Sequence, residues 1–231
     1  MAKGNSKLGA GGDYATSVKV QSGEVVQLNK PLRYGEKDAA ITGSVRDRLE
    51  EQEDLRKKAK IEYGMAVDAN GRAIEVRKGG GGQVKVSRNA LNNAEAYTHN
   101  HPRSEGNKKD PTAKYQLSGT FSEKDLQNFS NYNVKTYRAS GAEGTYSITK
   151  GKNFNKAGFL KYVSDSNAQR VSQYQKIADK INDDYTSGKI KDYKTYLKTR
   201  GSMFNDYLVS GHNDLLAGQK KYGYTYTLER R

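Results

Sequence analysis

Three histidines occur in the 231 residues, and two of them stand two apart in Thr98-His99-Asn100-His101-Pro102. Strand residues two apart point to one face, so this spacing sets two imidazoles side by side. Pro102, with its fixed φ, stiffens the end of that strand. Two imidazoles on one face are half of a zinc site. Downstream, Phe121-Ser122-Glu123-Lys124-Asp125 has the pattern of a helix start. Ser122 as N-cap places Asp125 in the first turn, where its carboxylate projects from the helix N-terminus. His99, His101 and Asp125 together supply three ligands and leave a fourth position for water, the arrangement of a catalytic rather than a structural zinc. The chain has no cysteine. That excludes disulfides, thiolate zinc sites, Cys nucleophiles and the deaminase type of zinc site, which needs a Cys pair.

The histidines need a strand and the carboxylate needs a helix, and the middle of the chain offers both. Residues 61–67 are strand-like, and Asp68-Ala69-Asn70-Gly71 is a strong turn signal. Ala73, Ile74 and Val76 make a second strand, residues 79–82 a glycine reversal, and Val84 and Val86 a third strand. Residues 94–98 form a short strand that runs into the histidines. Residues 121–129 read as a helix capped by Ser122, and residues 134–137 and 145–148 as two more strands. Upstream, Ser44 caps a helix over residues 44–61, with Val45, Leu49, Gln52, Leu55 and Ala59 on one stripe. After Ile148 apolar residues recur at three and four, broken at Ser187-Gly188, and residues 222–228 alternate as a closing strand. The expected fold is α/β: a small mixed sheet with flanking helices, an extended Gly-rich basic arm over 1–43, a zinc-site domain over 44–150 and a helical extension with its closing strand over 151–231.

The string Thr-His-Asn-His-Pro followed by Phe-Ser-x-x-Asp resembles the JAMM/JAB metallopeptidase motif, His-x-His-Pro and then Ser-x-x-Asp. That family includes deubiquitinating enzymes and RadC-like proteins, and Asn between the histidines is the form of its RadC-like and bacteriophage branches. The resemblance covers roughly residues 60–150. It implies a JAB-like core, zinc held by His99, His101 and Asp125, and Ser122 supporting a tetrahedral intermediate. It also implies a general acid/base Glu on an earlier strand. Glu62 is the choice, because Glu62-Tyr63-Gly64 is similar, to within one position, to the family's Glu-x-x-Gly, with Glu75 and Glu95 as alternatives. Residues 103–121 are a longer connection than the family pattern has, and read as a surface insertion beside the site, since polar loops tolerate length cheaply. The bacteriophage branch further implies a virion or host-cytoplasm location and protein partners: a substrate, or virion proteins met through the arm and Tyr-rich surfaces.

Composition frames the other readings. The net charge is +14, which makes nucleic acid or acidic protein surfaces expected partners. With 34% hydrophobic residues and a mean hydropathy of −0.97, the core must be modest. Tyrosine supplies 17 of the aromatics against 5 Phe and no Trp, which suits half-buried positions and interfaces. No apolar run approaches membrane-spanning length, and no hydrophobic stretch follows the first seven residues, so neither a membrane partner nor a secretion signal is expected. Three adjacent letters His-Asn-His do not make an HNH nuclease, and residues 79–82 lack the Lys and the helix of a phosphate loop. His212, after Gly211 in a helical stretch, reads as surface or capping. Two function classes follow: a zinc-dependent peptidase or isopeptidase, and a virion structural protein that uses the same fold as scaffold.

Overall fold

Strand pairing in this protein is dictated by short runs that are buried on both faces. The computed structural model describes residues 17–19, 62–70, 73–79, 84–101, 119–141 and 144–229. Seven strands make one mixed sheet: β1 (Ser17–Lys19), β2 (Tyr63–Val67), β3 (Ala73–Lys78), β4 (Ala96–Asn100), β5 (Thr136–Gly141), β6 (Gly144–Lys150) and β7 (Tyr224–Glu229), in the spatial order β1-β3-β2-β4-β5-β6-β7. Every residue of β2 and of β4 is buried, as central strands covered on both faces should be. All neighbours are antiparallel except β4 and β5, which run parallel with His99 beside Ala139. A parallel pair needs a crossover, and helix α2 (Glu123–Asn131) lies in it.

The turn expected at Asp68-Ala69-Asn70-Gly71 is present, with the Asn70 N–H donating to Asp68 Oδ1 at 2.8 Å. The third strand expected over Val84 and Val86 is not. Both edges of β3 are taken, by β1 and β2, and both edges of β2 are taken by β3 and β4, so residues 84–87 cannot extend the β2–β3 hairpin as its third strand. They run irregularly into a helix the periodicity did not announce, α1 (Arg88–Asn93), whose Ser87 cap accepts from the Ala90 N–H at 3.1 Å. The helix expected over residues 44–61, the rest of the basic arm, residues 80–83 and the insertion through residue 118 lie outside the described residues.

Two long helices follow the sheet. Helix α3 (Lys156–Thr186) and helix α4 (Tyr193–Tyr222) have 31 and 30 residues, so each is about 45 Å long at 1.5 Å per residue. Their sheet-proximal ends put Phe159, Val163, Leu215 and Tyr222 into the same core as Tyr97, Phe129, Tyr137, Ile148 and Tyr226, so the core runs across position 150. Their distal ends share a separate small cluster of Ala178, Ile181 and Met203. Gly223 ends α4 at φ 71 in the left-handed region, where a Cβ would stand 2.4 Å from the Asn153 carbonyl oxygen, so glycine is needed twice over. His212 is not a surface or capping residue: it is half-buried, its ring lies against Tyr146 and Tyr226, and its Nδ1 is 2.9 Å from the Tyr226 hydroxyl. Among the described residues no helix is long and apolar enough to cross a membrane.

Candidate metal centre

The C-terminal end of β4 meets the N-terminal turn of α2, and three side chains converge there. His99 points from β4 to the face that carries the core, among Tyr97, Tyr137 and Ala139. Strand alternation then turns Asn100 to the other face, where its Oδ1 accepts the Tyr63 N–H at 2.6 Å and fastens β2 to the end of β4. His101, back on the first face, extends the parallel ladder through its N–H to the Ser140 carbonyl at 2.7 Å. The Nε2 atoms of His99 and His101 are 2.9 Å apart. Asp125 approaches from α2, with Oδ1 3.5 Å from His99 Nε2 and Oδ2 3.8 Å from His101 Nε2.

The orientation of each ligand has its own cause. The Tyr97 ring stacks on His99 at a centroid distance of 5.4 Å and 23° between planes. The Nδ1–H of His101 donates to the Gly119 carbonyl at 3.3 Å, which leaves its Nε2 facing the other two groups. Asp125 is held by a capping box: its Oδ2 accepts from the Ser122 N–H at 2.9 Å and the Ser122 hydroxyl at 2.6 Å, while the Ser122 Oγ accepts from the Asp125 N–H at 3.1 Å. The sequence pattern Ser-x-x-Asp thus builds the helix start and aims the carboxylate with the same bonds. His99 Nδ1 is buried without a hydrogen-bond partner.

These atoms fit a metal ion. The set lies within 4.8 Å, and it could hold a cation. Donors about 2.1 Å from a tetrahedral ion are roughly 3.4 Å from one another; the imidazole nitrogens are 2.9 Å apart and stand 3.5 and 3.8 Å from the two Asp125 oxygens, one each, so the separations lie around that edge. Two imidazoles and one carboxylate are a borderline donor set that suits zinc. The three groups are also coupled electrostatically. Burial would raise the Asp125 carboxyl, but the adjacent His99 and His101 outweigh it and hold it well below the usual range. Burial disfavours the His101 cation, yet Asp125 raises that imidazole above its usual value.

A cleft of about 430 Å³ opens over the three groups. Glu62, the residue before β2, lines it together with Ser122, so the two further residues expected at the site do border it. The register explains how Glu62 gets there. Gly64 pairs with His99, and alternation puts the residue two before Gly64 on the same face as His101. Burial raises the Glu62 carboxyl above its usual value, with His99 and His101 pulling the other way. The two alternative glutamates are engaged elsewhere. Glu75 pairs with Arg77 and accepts from the Ser87 hydroxyl at 2.6 Å, and Glu95 pairs with Lys135 at 2.9 Å. Sequence reasoning missed Tyr97, Tyr137, Asn128 and the cations Lys85, Arg88 and Lys124, which also line the cleft. Tyr97 was accessible through the same two-residue spacing that relates the histidines; Tyr137 follows only from the parallel register that seats it beside Tyr97. No family model, no curated protein and no solved structure matches this chain.

Proposed function

We propose that the chain is a zinc-dependent hydrolase of peptide or isopeptide bonds, of the JAMM/JAB type. The observation that carries this reading is the convergence of His99, His101 and Asp125 from two elements on one point, with Glu62 and Ser122 bordering the same cleft. A mixed sheet with the histidine pair at the end of β4 and the aspartate in the first turn of the next helix agrees with the JAB-like core that the motif implies.

His99, His101 and Asp125 would hold the ion. When bound, zinc supplies Lewis acidity that polarises a carbonyl and makes water nucleophilic near neutral pH. Glu62 takes the proton of the attacking water on its carboxylate and returns it to the leaving amine, a transfer favoured by the raised basicity that burial gives it. Ser122 offers a hydroxyl at the cleft; it now donates to Asp125, and it must rotate to donate to a developing oxyanion. Tyr97 and Tyr137 wall the inner side and limit water. Zinc measured by atomic emission in purified protein is expected at one ion per chain, and near zero in His99→Ala. Equal, sub-stoichiometric zinc in both would remove the basis of the proposal.

A virion role is compatible with that chemistry and has its own support. The α3 and α4 hairpin exposes the apolar side chains of Val171, Ile177, Tyr193, Val209 and Leu216, which are open to assembly contacts. Mass spectrometry of purified particles tests it; absence from the particles with presence in infected cells would count against it.

A further inference from the structure

Three cations border the cleft over the histidines: Lys85 and Arg88 from the segment entering α1, and Lys124 from the first turn of α2. All three are exposed, and none is ion-paired among the described residues. Two of them stand at helix starts. Arg88 is the first residue of α1 and Lys124 the second of α2. There the unpaired N–H groups at a helix start make a nearby cation unfavourable. No acidic residue in the first turn of α1 offsets Arg88, whereas Glu123 and Asp125 flank Lys124 in α2. Three exposed cations on one rim, without a carboxylate partner there among the described residues, leave a ligand's negative charge to complement them. The cleft also holds two carboxylates, Glu62 and Asp125, deep beside the imidazoles, and an apolar wall of Val84, Val86 and Leu91.

We propose that this cleft selects acidic peptides, with substrate carboxylates seated on Lys85, Arg88 and Lys124 at the rim while the scissile amide lies over His99, His101 and Asp125. The proposal rests on the hydrolase reading for the position of the scissile bond, but the rim itself requires no metal. A peptide is favoured over a nucleic acid because the inner carboxylates repel a continuous phosphate chain, whereas side-chain carboxylates reach the rim from a neutral backbone. Val84, in the segment that supplies Lys85 and Arg88, lines the same cleft as Glu62.

The test is anisotropy with the full chain and a rhodamine-labelled peptide alternating Glu and Gly, its Gln isostere, and a labelled oligothymidylate, in chelator and again with zinc. The acidic peptide is expected to bind about tenfold more tightly than the isostere, with or without zinc. The triple variant Lys85→Gln, Arg88→Gln, Lys124→Gln erases that preference. A control triple variant of exposed residues on the hairpin, Lys176→Gln, Lys180→Gln, Lys198→Gln, removes the same net charge and keeps it. Charge reversal of Lys85, Arg88 and Lys124 to Glu turns the preference against the acidic peptide. Equal binding of the two peptides, loss of preference in the control, or an oligothymidylate that binds more tightly through the same three residues would each overturn the proposal. Lack of zinc at His99 would overturn the hydrolase reading alone, since the peptide preference is read in chelator.

Discussion

Gly64 stands directly across from His99 in the β2 and β4 ladder, and a Cβ placed on it would lie 2.5 Å from the hydroxyl oxygen of Tyr97. The missing side chain is therefore the room into which the Tyr97 ring extends, and that ring stacks on His99. Tyr97 is buried and also packs on Tyr137 at 4.6 Å, so it has little freedom to retreat. Gly64→Ala is expected to cost about 1–3 kcal/mol from overpacking. It should also weaken zinc binding about tenfold or more, because the imidazole loses its support. Denaturant melts and zinc titration against a chromogenic chelator measure both; unchanged values on both would show that the ring moves freely.

Ser122 and Asp125 share one set of bonds but not one role. Ser122→Ala removes the cap of α2 and is expected to cost about 0.5–2 kcal/mol, with zinc still bound, though more weakly by about 10–100-fold as for loss of an orienting partner. Asp125→Asn keeps an acceptor for the Ser122 N–H but loses the anionic ligand, so zinc falls far more than stability does. Comparable zinc loss in the two variants would mean that Asp125 does not ligate directly.

Glu62 gives the site a pH dependence of its own. Its carboxyl is raised mainly by burial, so the ionised form is disfavoured in the folded chain. For a raised carboxyl the unfolded chain loses its proton first, so this group's contribution to stability falls as pH rises through the carboxylate range and stays lost at neutral pH. Glu62→Gln is expected to melt higher than wild type at pH 7, with the gap closing as pH drops below the carboxylate range. It should keep one zinc per chain and lose about 10²–10⁴-fold in turnover of any amide the wild type cleaves. A lower melting temperature at pH 7 would place Glu62 in a structural role.

Lys150 lies outside the site and gives a clean pH signature. It packs over the rings of Phe129 and Phe154 at 5.1 and 5.7 Å and donates to the Tyr132 carbonyl. Burial, with Lys156 nearby, lowers its ammonium to about 8 from an ordinary 10.5. Between those values the unfolded chain holds more protons than the folded one, so stability rises with pH across the window, and the burial penalty is complete below it. Tyr224 and Tyr226 act oppositely above the ordinary tyrosine range, since burial pushes both hydroxyls up. The difference in melting temperature between wild type and Lys150→Met should therefore shrink from pH 8 to pH 10. A constant difference over that range would show that Lys150 is not desolvated.

The sequence by itself determined what rests on short-range geometry. The two-residue spacing of His99 and His101 fixes their common face once a strand forms, and Ser122 three before Asp125 fixes the helix start and the carboxylate's aim, because both are relations within one or two turns of backbone. The break at Ser187-Gly188 and the alternation of residues 222–228 were legible for the same reason. Which glutamate joins the histidines was left open among Glu62, Glu75 and Glu95, because that depends on strand neighbours distant in sequence. Only the register of β2 against β4 and the occupation of both β3 edges decide it. The same occupation turns Val84 and Val86 from an expected strand into the rim of a cleft. Edge availability is a property of the whole sheet, and no local pattern encodes it.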